Sequence, residues 1–178
     1  MRESVTQAVI LSLVPVKEKD MNVSLFTKEH GRVNARVIGG KKPLSKFAPH
    51  LDPLTLVIAR LVEKNTITLT DVLEENRFKI LREESKRFSE AIKIIALIDV
   101  LLPLEVPEGP LWNEVVHSFE KGEPRVANIL KILGYDSERM ICGICKNPNV
   151  GVFSRDHHLF VCESCGGKFS FRDVVYIT

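Results

Sequence analysis

Hydrophobic and polar positions alternate with a period of two along much of the first seventy or so residues, and this pattern predicts β-strands. It is clearest where Val33, Ala35 and Val37 alternate with polar residues, two of them arginines, so that one face is apolar and the other basic. The predicted strands are Val5 to Val16, a stretch including Val23 to Phe26, Arg32 to Ile38, Leu54 to Val62 and Thr66 to Leu73. Five short strands favour a small closed barrel over an open sheet, because closure removes exposed strand edges.

The period changes to a helical one from about Arg77. Apolar residues recur at intervals of three and four up to Leu102, and the prolines that follow end this predicted helix. Two further helices are predicted at Pro110 to Glu120 and Pro124 to Leu133, each starting on proline and followed by glycine. The last stretch, Lys168 to Ile177, alternates enough to predict one more strand.

All four cysteines lie in one short segment of the chain, as two Cys-x-x-Cys pairs. The pairs are Cys142 with Cys145 and Cys162 with Cys165, and short apolar runs between them predict a hairpin with one pair near each end. Four thiolates close the coordination shell of a tetrahedral zinc ion, so this spacing predicts a structural Zn²⁺. His157 and His158 fall at the predicted hairpin tip and are interpreted as surface residues rather than ligands.

Three alternatives to a structural zinc stay open for the cysteines. Two disulfides are possible, but the N-terminus lacks the pattern of a secretory signal, and the cytosol, where we expect the protein, keeps thiols reduced. A redox-active Cys-x-x-Cys would explain one pair and not two. A catalytic zinc would need an open coordination position.

The formal net charge of +2 conceals a segregation along the chain. Residues 1–70 carry +5, residues 71–141 carry −4 and residues 142–178 carry +1. Attraction to nucleic acid must therefore come from a local patch in the N-terminal third. No apolar run is long enough for a transmembrane helix, and we expect no membrane association.

A candidate patch follows from basic residues with no acid among them. These residues are Arg32, Arg36, Lys41, Lys42 and Lys46. Lysine suits phosphate as a point charge and arginine adds forked hydrogen bonds, so we predict sequence-independent, salt-sensitive binding of single- and double-stranded DNA. Phe47 is the candidate for base stacking, with core packing as an equal alternative. A solvated basic face without a ligand is the other interpretation.

The layout also resembles the RecO family of bacterial recombination mediators. The matching motifs occur in the same order: Lys17 to Asp20, Leu25 to Arg32, Gly39 to Phe47, and Leu133 to Tyr135 before the first cysteine. The resemblance implies an α+β protein: an N-terminal five-stranded OB-fold β-barrel at 1–76, then a small helical bundle at 77–178 that carries the zinc hairpin at 140–167. The given sequence is shorter than most members of that family, and no helix is predicted in it after the hairpin.

The resemblance further implies that the protein anneals DNA strands and helps to load the RecA recombinase onto strands coated by single-strand-binding protein, with RecR as a partner. No catalytic motif is recognised, and no enzyme activity is predicted. An alternative function is a zinc-containing scaffold that docks other proteins, with only incidental DNA contact. Trp112 and Phe119 could mark such a docking surface, although aromatic residues more often pack inward. A zinc enzyme is the third class.

Overall fold

The computed structural model describes residues 1–16, 18–42, 45–136, 140–170 and 173–177. Lys17 of the motif Lys17 to Asp20 and Pro43 and Leu44 of the motif Gly39 to Phe47 lie outside the described residues, as do Phe171 and Arg172 of the predicted last strand. The described chain forms two compact units, Met1–Pro124 and Arg125–Thr178. The division expected from the sequence, at residues 76 and 77, stays a prediction.

Five strands of the first unit form a closed barrel in the order β1-β2-β3-β5-β4. They are β1 (Arg2–Pro15), β2 (Met21–Thr27), β3 (Gly31–Val37), β4 (Leu56–Glu63) and β5 (Ile67–Asn76). All pairs are antiparallel except β3 with β5, which is parallel and closes the barrel at Arg36 and Thr68. The predicted strands and their closure are thereby confirmed, and their inward residues make one apolar core.

Helices cover part of the barrel's outer surface in the same unit. They are α1 (Lys79–Arg82), α2 (Ser85–Leu101) and α3 (Gly109–Lys121). The prediction of one continuous helix from Arg77 is wrong, because Glu84 adopts an extended conformation between α1 and α2. The Arg82 side chain holds α1 through hydrogen bonds to the carbonyls of Pro53 and Leu54, so the chain must redirect before α2 begins.

From Val23 to Thr27 the strand β2 is buried on both of its faces. Val23 and Leu25 point into the barrel core, whereas Ser24 and Phe26 are covered on the outer side. Phe26 packs edge-on against Trp112 of α3, with ring centroids 5.4 Å apart. At Ser24 and Phe26 the outer face of this strand is therefore covered, whereas Asn22 on the same face is exposed.

The second unit contains a helix, a small sheet and the cysteine hairpin. Its elements are α4 (Val126–Ile132), β6 (Val152–Ser154), β7 (Leu159–Val161), α5 (Glu163–Gly166) and β8 (Val174–Tyr176). The sheet order is β7-β6-β8, with both pairs antiparallel. This confirms the predicted hairpin, and the predicted final strand is present in shorter form. Together the two units make a mixed α+β protein, as expected.

Candidate metal centre and nucleic-acid interface

The two Cys-x-x-Cys pairs, which sixteen residues separate in sequence, come together in the second unit. Cys142 and Cys145 lie in a turn before β6, and Cys162 and Cys165 lie at the junction of β7 and α5. The first turn is tied to β7 by a 2.9 Å hydrogen bond from the Gly143 amide to the Phe160 carbonyl. All four Sγ atoms lie within 4.8 Å of one another.

These distances suit a shared cation better than sulfur–sulfur bonds. The four cysteines are free thiols, and the Sγ atoms of Cys145 and Cys162 are 3.6 Å apart, against about 2.05 Å in a disulfide. Four sulfurs at about 2.3 Å from a tetrahedral zinc would lie about 3.8 Å from one another. The donor set therefore fits a metal ion that prefers sulfur.

The acidity of the thiols supports the same interpretation. The backbone amide of Cys145 donates to the Cys142 sulfur and, with amides of Cys162 and Ile144, lowers the pKa of Cys142 to about 6 against the opposing effect of burial. Burial, reinforced by hydrogen bonds from the other three sulfurs, raises the pKa of Cys165 to about 12. The protein alone thus stabilises one thiolate in the cluster at the expense of another. A cation among the sulfurs would remove that conflict, because each thiolate would then face a positive charge.

The two histidines at the hairpin tip have other partners. His157 shares a 3.1 Å hydrogen bond with the Ser154 hydroxyl, and His158 shares one of 2.9 Å with the Tyr135 hydroxyl. Neither belongs to the cysteine cluster, as expected.

Two lysines of the candidate patch are exposed in the loop after β3. Among the described residues, neither Lys41 nor Lys42 has an acidic partner within ion-pair distance. The loop turns at Gly39, whose φ of +69° is a conformation that glycine adopts at little cost. These two lysines are the most available cations of the predicted patch.

Arg36 and Lys46 carry positive charge but are paired with acids. Arg36 contacts Asp20 at 2.5 Å, and Lys46 contacts Asp71 at 3.0 Å. The hydrogen bond and then the charge of Lys46 lower the pKa of Asp71. Because both members of the Lys46 pair are more than 60% exposed, the pair is weak and phosphate can compete for the lysine.

Arg32 does not sit with the other cations. Its guanidinium donates a 2.8 Å hydrogen bond to the Leu102 carbonyl and lies 3.4 Å from the Asp99 carboxylate, and only 17% of its side chain is exposed. Asp99 also accepts hydrogen bonds from Ser12 at 2.7 Å and Ser24 at 2.5 Å. Arg32 therefore helps to attach α2 to the barrel, and we remove it from the candidate DNA contacts.

The structure contradicts the stacking role of Phe47. Its side chain is 7% exposed and belongs to the barrel core, so no ring face is offered to a base. Trp112 and Phe119 are likewise buried, at 4% and 0% exposure, which contradicts their alternative role as a docking surface. In each case the alternative of core packing, considered from the sequence, is the one observed.

Sequence reasoning missed two acidic residues that pair with arginines of the candidate patch. Asp99 lies in the apolar stretch of α2, and its charge among aliphatic residues was the available signal for a buried polar partner. Asp20 attracted no functional prediction from the sequence, although it contacts both Arg36 and the Gly39 amide. In the described part of the chain, no helix has the length and apolar character needed to cross a bilayer.

Comparisons with known proteins agree with this architecture. Residues 1–74 match the family model described as recombination protein O N terminal. The chain is 23% identical over 180 residues to the DNA repair protein RecO of Thermodesulfovibrio yellowstonii, covering 93% of this chain and 71% of that protein. It is 26% identical over 182 residues to RecO of Geobacter metallireducens, covering 93% and 74%. With RecO of Salinibacter ruber the identity is 29% over 130 residues, covering 70% of this chain and 50% of that protein. By these matches the chain is a relative of the RecO proteins, and its residues 1–74 correspond to the N-terminal domain of that family.

Proposed function

We propose that this protein is a DNA-binding mediator of recombinational repair, which anneals DNA strands and promotes RecA loading onto DNA coated by single-strand-binding protein. RecR and single-strand-binding protein are its proposed partners, and the cytoplasm is its proposed location. The observation that carries the proposal is the exposed pair Lys41 and Lys42, which has no acidic ion-pair partner among the described residues, at the rim of a small closed barrel. Relatives named as DNA repair proteins support it.

The barrel is proposed to be an OB-fold. Its strand order, with β1 pairing both β2 and β4 and a parallel contact between β3 and β5, agrees with a five-stranded Greek-key barrel of that type. OB-folds commonly bind nucleic acid across the faces of strands 2 and 3. Here that route is closed over Ser24 and Phe26 by the helices, so DNA is proposed to contact the loops at the barrel rim instead.

DNA bound by these loops would be recognised through its phosphate groups and not through the identity of its bases. The stacking candidate Phe47 is buried, and the remaining candidates, Arg36, Lys41, Lys42 and Lys46, are cations. Charge screening by such residues on two strands would lower their mutual repulsion and raise their encounter rate, which is what annealing requires. No covalent step is involved in the proposal.

A structural Zn²⁺ held by Cys142, Cys145, Cys162 and Cys165 is part of the proposal. The convergence of four sulfurs within 4.8 Å supports it. When bound, the ion would cross-link the two cysteine turns. The four cysteines would complete its coordination shell, so no coordination position would be open to a substrate.

The test is equilibrium binding of labelled oligonucleotides, single-stranded and duplex, over a range of salt concentrations. Four phosphate contacts predict slopes of log affinity against log salt of roughly −3 for single strands and −3.5 for duplex. Replacing Lys41 and Lys42 by glutamine should reduce the slope on single strands by roughly 1.4. The matched control replaces Lys79 and Lys86, two exposed lysines on the helices, and should leave the slope unchanged. A wild-type slope near zero would contradict the proposal.

A protein-docking scaffold is the second candidate, and one observation favours it. Met140, Ile141 and Ile144 beside the first cysteine turn are 41%, 52% and 46% exposed. Exposed aliphatic residues at one place are typical of interaction surfaces. The same titration separates the two functions, because a scaffold with incidental DNA contact would show no difference between the Lys41/Lys42 variant and its control.

A further inference from the structure

Two loops of the barrel meet at one half-buried carboxylate, that of Asp20. We propose that Asp20 is a positioning residue that joins the β1–β2 turn to the loop after β3, so that Lys19, Lys41 and Lys42 form one phosphate-binding site. The inference rests on the proposed function and deepens it, adding Lys19 as a contact residue and giving Asp20 a role in DNA binding.

The contacts of Asp20 connect the two loops directly. Its Oδ1 accepts a 2.9 Å hydrogen bond from the Gly39 amide, and its Oδ2 accepts one of 2.5 Å from Arg36. One hydrogen bond between main chains adds to this, because the Lys41 amide donates to the Lys19 carbonyl at 3.1 Å. The backbones that carry these two lysines are therefore adjacent, although 22 positions separate them in sequence.

Local geometry fixes the loop after β3 in this place. Gly39 has φ of +69°, and the Lys42 amide closes a turn onto the Gly39 carbonyl at 3.1 Å. A Cβ atom at the buried Gly40 would lie 2.9 Å from a methyl group of Val37 and 3.0 Å from the Met21 side chain. The chain can pass here only because the two glycines allow it, and the direction in which Lys41 and Lys42 leave the barrel is thereby determined.

The acidic group lies deeper in the protein than the three lysines. The Asp20 side chain is 13% exposed and lies against Arg36, whereas Lys19, Lys41 and Lys42 are all exposed. An approaching phosphate would meet the lysines first, with the carboxylate below them and neutralised by the arginine. This arrangement allows an acid to support an anion-binding site.

A purely electrostatic role for Asp20 makes the opposite prediction. If the carboxylate only repels phosphate, removing its negative charge should tighten DNA binding. If it positions the lysines, removing it should weaken binding even though the protein becomes more positive. The sign of the change therefore distinguishes the two roles.

The experiment measures binding of a labelled single-stranded oligonucleotide by fluorescence anisotropy across a salt series. Loss of one phosphate contact costs roughly eight-fold in affinity at about 50 mM salt, because a slope of about 0.7 acts over about 1.3 decades up to 1 M. We expect Asp20→Ala to weaken binding by roughly that factor and to reduce the slope by about 0.7. Asp20→Asn keeps an acceptor for the Gly39 amide and should stay within about two-fold of the parent.

A matched control uses the other acid that pairs with a candidate cation. Asp71→Ala removes one negative charge from the pair with Lys46. That pair does not connect one loop to another, so the variant should bind DNA as tightly as the parent or more tightly. Lys19→Gln tests the new contact without touching Asp20, and should lose about as much slope as one lysine of the loop.

The inference would be overturned if Asp20→Ala bound as tightly as the parent or more tightly, or if Lys19→Gln kept the parent affinity and slope. Failure of the proposed function looks different, because the wild-type protein itself would then show no salt-dependent binding. Should Asp20→Ala fail to fold, the Lys19→Gln result decides alone.

Discussion

Asp99 should contribute far more to the free energy of unfolding than a surface acid does, because its side chain attaches α2 to the barrel. Its carboxylate accepts hydrogen bonds from Ser12 at 2.7 Å and Ser24 at 2.5 Å, and it lies 3.4 Å from Arg32. Ser24 is 7% exposed, so the loss of this partner would leave its hydroxyl with little access to water. The perturbation is Asp99→Ala.

The magnitude follows from these contacts. A hydrogen bond to a charged group contributes about 1.5 kcal/mol or more, and two are lost. The longer contact to Arg32 adds less than about 1 kcal/mol, since the guanidinium keeps its bond to the Leu102 carbonyl. We therefore expect a loss of about 3 kcal/mol, or roughly 10 °C in melting temperature for a unit of this size.

The assay is urea unfolding followed by tryptophan fluorescence. Trp112 is the single tryptophan of the chain and packs on Phe26, so its signal reports the first unit. The matched control is Glu90→Ala on the same helix, which removes a 2.6 Å pair with Lys93 at neighbouring helical positions. That pair should contribute about 0.5 kcal/mol or less.

Equal, small losses of stability in Asp99→Ala and Glu90→Ala would refute this role of Asp99. A companion measurement concerns Arg32, which contacts Asp99 and Leu102 and which we therefore expect to contribute to stability rather than to DNA binding. Arg32→Ala should lower the unfolding midpoint and leave the salt slope of DNA binding at the parent value. A reduced slope in that variant, measured where it is folded, would return Arg32 to the DNA contacts.

Two other outcomes follow from the structure. Gly31→Ala should lower the free energy of unfolding by about 2–4 kcal/mol, because φ is +67° and the new Cβ would lie 1.9 Å from the Val106 carbonyl oxygen. The control is Gly109→Ala, where the new Cβ would meet no other part of the chain within 4 Å. It should change the free energy of unfolding, measured in urea, by less than about 1 kcal/mol. Cys162→Ser, or removal of metal by a chelator, should abolish zinc binding and unfold the second unit, because structural zinc supplies about 10–16 kcal/mol. Metal content and amide dispersion in NMR spectra would show this, with Ser164→Ala as the control, and a Cys162→Ser variant that keeps native dispersion would contradict it.

Local pattern was sufficient for the strands, the cysteine cluster and most of the helices. Alternation such as Val33, Ala35 and Val37 places one face in a core whatever the rest of the chain does, because the period of a strand is two. Pro110 and Gly122 mark the ends of α3 for equally local reasons, the second through its left-handed φ of +70°. The break between α1 and α2 was missed because contacts to a distant loop caused it.

The sequence by itself determined that this chain would build a small barrel, a set of helices and a sulfur cluster. Only the tertiary structure decided which of its cations are available to a ligand. Arg32 is paired with an acid 67 positions away, Arg36 with one 16 away and Lys46 with one 25 away, and no local pattern encodes such partners. The physical reason is that a side chain's charge is set by its own chemistry, whereas its freedom to bind depends on whatever folding brings within a few ångströms of it.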